Sequence, residues 1–97
     1  MRVIMQMKWE GVTPAQYDKM KNSAQWEPDF PKGAVFHVAG FHDNAIHVLD
    51  IWESADAFNA FAQSRLMPAA LEAKLQGKPQ VDIFPVHAIF IPALQQV

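Results

Sequence analysis

Between Gly33 and Ser54 the chain reads GAVFHVAGFHDNAIHVLDIWES, which folds most simply as a β-hairpin with two chemically different faces. Two runs rich in Val, Ile, Phe and Ala flank His42-Asp43-Asn44, and an Asp-Asn pair between alternating apolar residues is a short-range hairpin signal. With Asp43 and Asn44 at the tip, Phe41 faces Ile46, Ala39 faces Val48, His37 faces Asp50 and Val35 faces Trp52. One face then carries Phe36, Val38, Leu49 and Ile51, and the other carries His37, Asp50 and Trp52 among smaller apolar residues. A one-residue slip would mix these sets and place Asp50 on the apolar side. The apolar set is expected to turn toward helices and the His37, Asp50 and Trp52 set away from them.

Elements on either side complete a short fold. Residues 2–10 alternate, with Val3, Met5, Met7 and Trp9 on one side, and predict a first strand ending at Gly11. Thr13, Pro14 and Gln16 form an N-cap, a first helical position and a capping-box partner, with Val12 and Tyr17 spaced for a hydrophobic staple. That helix, with Tyr17, Met20 and Ala24 at helical spacing, stops before Pro28. Ser54 caps a second helix whose stripe is Phe58, Phe61, Ala62 and Leu66. Pro68 returns no N–H to the carbonyl of Ser64, so a kink or split is expected there, with Leu71 and Leu75 continuing on a second segment. Residues 81–92 predict a last strand with His87 in its middle and a bulge or irregular start at Pro85.

The order βαββαβ is the split-βαβ, ferredoxin-like α+β arrangement: a four-stranded antiparallel sheet, strand order 4-1-3-2, with two helices on one face. Residues 1–97 make one domain, long enough to bury about 60–65% of its unfolded surface. The second sheet face would expose Val35, Val48, Trp52 and Ile89, a larger patch than soluble monomers tolerate. A second copy is expected to cover it, sheet to sheet, as a dimeric α/β barrel with His37, Asp50 and Trp52 lining the interior.

A net charge of −2 gives no electrostatic reason to expect nucleic acid or an anionic membrane as partner. The absence of Cys excludes disulfides, thiol catalysis and thiolate metal sites. No segment reads as a signal peptide or a membrane span, so a cytoplasmic protein is expected.

The stretches GAVFHVAGF, VLDIWESADAFNAF, Arg65-Leu66-Met67-Pro68 and FPVHA resemble the dimeric α/β barrel superfamily, and within it the small stand-alone proteins related to antibiotic-biosynthesis monooxygenases. The resemblance spans nearly the whole chain. Many such relatives have no established activity; others are cofactor-free oxygenases of aromatic polyketides or haem-degrading enzymes. Both kinds bind substrate in the cleft between sheet and helices, which implies a site near Tyr17, Phe36, Phe58 and Phe61. The haem-degrading members place a His on a helix, and neither predicted helix here contains one.

His37 opposite Asp50 pairs a general base with an orienting carboxylate, because a neighbouring negative charge favours the imidazolium; the same pair also serves as a buried polar clasp that fixes register. Trp52 stacks on an aromatic ligand or belongs to the core. His87 reaches the same cavity if it lies on the last strand, and Tyr17 is a ligand contact or the staple partner. Trp26 and Phe30 fall in a loop suited to a lid. His47 falls on the face opposite His37, and no close ligand spacing supports a metal site; no cofactor is expected. Two functions follow: a cofactor-independent monooxygenase-like enzyme acting on a small aromatic or polyketide-like compound, with His37 and Asp50 as base and orienter and with Trp52, His87 and Tyr17 at the ligand, or a non-catalytic dimeric small-molecule-binding or interaction module.

Overall fold

The computed structural model describes residues 1–95 and has the expected order: β1 (Val3–Glu10), α1 (Pro14–Ser23), β2 (Ala34–His42), β3 (Ala45–Trp52), α2 (Ala55–Phe61), α3 (Met67–Glu72) and β4 (Gln80–Pro85). The sheet order is β2-β3-β1-β4, and every neighbouring pair is antiparallel. No described helix is long and apolar enough to cross a membrane.

Alternation in β1 decides which face is covered. Val3, Met5, Met7 and Trp9 are buried and join Met20 of α1, Phe58 and Phe61 of α2, and Ala69 and Ala70 of α3 in one core. Gln6 and Glu10, pointing the other way, are exposed. Because Val3 pairs with Trp52, Met5 with Asp50 and Met7 with Val48, side chains paired across an antiparallel ladder share a face. Asp50 and Trp52 therefore lie under the helices. His37, paired with Asp50, lies there too.

This reverses the expected assignment of faces. The wholly apolar set, Phe36, Val38, Leu49 and Ile51, lies on the open face with Ile4 and Phe84, beside the polar Gln6, Lys8, His47 and Asp82. The polar set sits on the helix side, where Asp50 is only 3% exposed. A buried carboxylate is tolerated when its oxygens are hydrogen-bonded, and here both are.

The hairpin pairs as expected from Phe41 and Ile46 down to His37 and Asp50. Below that a bulge intervenes, and Ala34, not Val35, faces Trp52. Val35 is the extra residue of the bulged strand and is exposed. The tip residues Asp43 and Asn44 have φ of 51° and 61°, as a two-residue type I′ turn requires.

Pro68 leaves its mark one turn upstream. A π-helical turn over Ala62–Leu66 separates α2 from α3, widening the ladder where the proline supplies no N–H. The segment beyond does not bury Leu71, which is 76% exposed; Ala69, Ala70 and Ala73 make the contact instead. Small side chains let α3 pack against α1. The last strand also ends earlier than expected, at Pro85, and residues 86–91 are irregular. His87 consequently stands beyond the sheet, exposed, and Ile89 is exposed with it.

Candidate functional site

A chain of hydrogen bonds runs from α1 into the sheet. The Tyr17 hydroxyl lies 2.8 Å from His37 Nε2, His37 Nδ1 lies 2.6 Å from Asp50 Oδ1, and Trp52 Nε1 donates to Asp50 Oδ2 at 3.0 Å. With both Asp50 oxygens accepting, Nδ1 of His37 carries the proton and Nε2 presents its lone pair to the Tyr17 hydroxyl. The Tyr17 and His37 rings are parallel to within 1°, with centroids 6.2 Å apart. They meet end to end, the hydroxyl spanning the gap.

Each member is positioned by local sequence. Thr13 caps α1 with φ −92° and ψ 160°, accepting from the Gln16 N–H while the Gln16 side chain accepts from the Thr13 N–H. This reciprocal cap fixes where α1 starts and hence the turn on which Tyr17 meets the sheet. His37 and Asp50 are cross-strand partners, and Trp52 follows Asp50 on the same face. Burial pushes the Tyr17 phenol above its ordinary pKa, with the Lys21 ammonium pulling the other way. Tyr17 is thus held as a neutral hydroxyl that can donate.

Trp26 completes the site, and sequence reasoning placed it only as a lid candidate. Its backbone N–H bonds to the Lys21 carbonyl while the Gln25 backbone N–H bonds to the Asn22 carbonyl, the two bonds of a Schellman ending to α1. Gln25 occupies the left-handed position with φ 55°, at a cost of about 1–2 kcal/mol for a side chain with a Cβ. The motif's usual marker is Gly or Asn, which is why Gln25 gave no signal. The turn swings the Trp26 ring over the sheet, 4.6 Å from His37, 5.1 Å from Phe61 and 5.9 Å from Trp52 between ring centroids. Arg65, on the π-turn, holds the loop from outside: its guanidinium donates to the carbonyl of Asp29 at 2.7 Å and to that of Ala24 at 3.3 Å.

Between helices and sheet these residues enclose a cleft of about 50 Å³, walled by Met5, Met7, Met20, Phe58 and Phe61 and reaching Tyr17, His37 and Asp50. Tyr17, Phe58 and Phe61 meet here; Phe36 does not, because it lies on the open face. His87 is not among the lining residues. Trp52 is fully buried, with its ring against Phe58 and Phe61. His47 lies on the open side, bonded to the His42 carbonyl. Among the described residues no three His, Cys, Asp or Glu side chains group around a common metal position.

No protein-family model matches the chain, and no curated protein does. Solved structures do. A mutant form of SnoaB, a cofactor-independent oxygenase from Streptomyces nogalater, superimposes with a TM-score of 0.67 at 19% identity, over 91% of this chain and 95% of that one. A protein of unknown function from Nitrosomonas europaea gives 0.68 at 16% identity, over 94% of each chain. A candidate antibiotic biosynthesis monooxygenase from Caulobacter crescentus gives 0.64 at 15% identity, over 90% of this chain and 91% of that one. The structural neighbours of this chain thus include a cofactor-independent oxygenase and a candidate antibiotic biosynthesis monooxygenase, and it shares their ferredoxin-like fold along nearly its whole length.

Proposed function

We propose that this protein is a cofactor-independent monooxygenase-like enzyme, acting on a small aromatic or polyketide-like compound in the cleft between sheet and helices. The observation that carries the reading is an apolar, aromatic-walled cleft that ends on the Tyr17, His37 and Asp50 relay. Likeness of fold to SnoaB, a cofactor-independent oxygenase, adds weight.

The relay suits proton abstraction. A phenol or activated methylene donates its proton to the Tyr17 oxygen as the Tyr17 hydroxyl proton passes to His37 Nε2, and Asp50 stabilises the imidazolium. His37 is the base and Asp50 its orienter, as the sequence suggests, but Tyr17 stands between base and substrate. The carbanion transfers electrons to dioxygen, the co-reactant, and the resulting hydroperoxide loses water to leave a carbonyl: one methylene and one O2 give one C=O and one H2O. Apolar walls keep bulk water from the anion.

The assembly that fits is a homodimer joined through the open sheet faces. On that face Val38 is 49% exposed and Phe84 39%, beside Phe36, Leu49, Ile51 and Ile4. Contiguous apolar surface of this kind marks an interaction site.

The test is oxygen uptake with a panel of polycyclic phenols. Consumption of one O2 per substrate, lost in His37→Asn and reduced in Tyr17→Phe with the fold intact, is the expected result. The rival reading, a non-catalytic binding module, draws on the small resting cleft; ligand binding without oxygen uptake across the panel would favour it.

A further inference from the structure

We infer that the Trp26 indole is a built-in plug occupying the place of the ligand's ring system, and that the ligand is a planar, bicyclic hydroxyaromatic which displaces it. The inference rests on the cleft being the binding site.

Three observations point the same way. At rest the cleft offers about 50 Å³, a third of the roughly 150 Å³ known to admit benzene into an apolar cavity, so a ring enters only if something leaves. The Trp26 ring lies against His37, Phe61 and Trp52 at 4.6, 5.1 and 5.9 Å between centroids, an aromatic-lined slot suited to any flat ring of indole size. Trp26 is also the tryptophan least tied in. Trp9 donates its indole N–H to the Gln76 carbonyl and Trp52 donates to Asp50, whereas Trp26 has no acceptor among the described residues and remains partly exposed.

The segment carrying Trp26 is built to lift. It leaves α1 through a strained left-handed Gln25 and re-enters the sheet through Gly33, whose φ is 89°. Pro31, fully buried, anchors its far end, while the Trp26 end is held by the Asp29 N–H on the Gln25 carbonyl and by side-chain polar contacts, Lys21 to Glu27 and Arg65 to the Asp29 and Ala24 carbonyls. Such contacts hold weakly against water. A hydroxyl on the incoming ring would meet the Tyr17 and His37 end of the slot, which gives the ligand its polarity as well as its shape.

A plug taxes affinity by the fraction of time it occupies the slot. The probe is 2-naphthol, titrated into wild type, Arg65→Gln and Trp26→Ala by calorimetry, with the indole N–H signals of the wild type followed by NMR. Binding is expected to tighten about tenfold in Trp26→Ala and by a smaller factor in Arg65→Gln. In the wild type the Trp26 signal should move to its solvent position while those of Trp9 and Trp52 stay. Equal affinity in wild type and Arg65→Gln, a Trp26 signal unchanged at saturation, or no binding to wild type and variants alike would each overturn the plug. The Arg65→Gln and NMR arms keep the test open if Trp26→Ala fails to fold. Displacement of Trp26 without oxygen uptake would leave the plug standing and remove the oxygenase; uptake with Trp26 in place would do the reverse.

Discussion

His37 Nδ1 lies 2.6 Å from Asp50 Oδ1 across the β2–β3 ladder, and the other Asp50 oxygen accepts the Trp52 indole N–H at 3.0 Å. The carboxylate is 3% exposed and both its neighbours are donors. Asp50 therefore sets the tautomer of His37 and, through it, the direction of the Tyr17 hydrogen bond.

Asp50→Asn should reverse that direction. An amide offers one acceptor oxygen and one NH2 donor; with its oxygen on Trp52, its NH2 faces His37, which must move its proton to Nε2 and donate to the Tyr17 oxygen. The expected outcome is a folded protein weaker by about 1–3 kcal/mol, with His37 protonated on Nε2 by imidazole 15N shifts. Activity should fall because the base no longer presents a lone pair. An unchanged tautomer would sink this account of the relay.

Tyr17→Phe probes the same chain through pH. Burial raises the Tyr17 pKa in the folded state above the unfolded value of about 10. Below about pH 10 both states keep the proton; above it the unfolded chain loses it first, so the wild type should lose stability as pH rises. The variant lacks this slope. It should be less stable by about 0.5–1.5 kcal/mol near neutrality, having lost the bond to His37, and the gap should narrow on going to about pH 11. Urea midpoints at both pH values check this.

Much of the fold is legible in the chain. The Thr13, Pro14 and Gln16 start, the Asp43-Asn44 turn and the His37 and Asp50 register are local signals, and local signals are what a sequence carries. Which face of the hairpin meets the helices is not local. It depends on how β1 pairs with β3, from Glu10 on Ala45 to Val3 on Trp52, and the polar set can be buried because His37 and Trp52 satisfy both oxygens of Asp50. Trp26 was hidden for a related reason, its turn resting on a Gln in a position usually marked by Gly. The early end of β4 at Pro85, which leaves His87 outside the site, follows from two prolines bracketing an apolar run whose composition alone still reads as strand.

Val38→Lys tests the homodimer. Val38 projects from the open face, paired with Leu49, and at 49% exposure a lysine there costs a lone subunit little. In a sheet-to-sheet dimer the same ammonium is buried without a partner. Sedimentation should show a wild-type dimer and a folded, monomeric variant. A monomeric wild type would remove the interface from the proposal.

Gly33→Ala should be the most damaging small substitution outside the core. Gly33 has φ 89°, its carbonyl accepts the Glu53 N–H at 2.8 Å, and an added Cβ would lie 2.7 Å from Cβ of Ala57 on α2. Backbone strain and overpacking together are expected to cost about 2–4 kcal/mol. The two causes separate in a double-mutant cycle with Ala57→Gly, which removes the clashing methyl but leaves φ unchanged, at its own helix cost of about 0.5–1 kcal/mol. A favourable coupling of about 1 kcal/mol or more locates the damage in the methyl–methyl contact between the start of β2 and α2. No coupling would assign the loss to the left-handed backbone alone, and would mean that α2 shifts easily away from the strand.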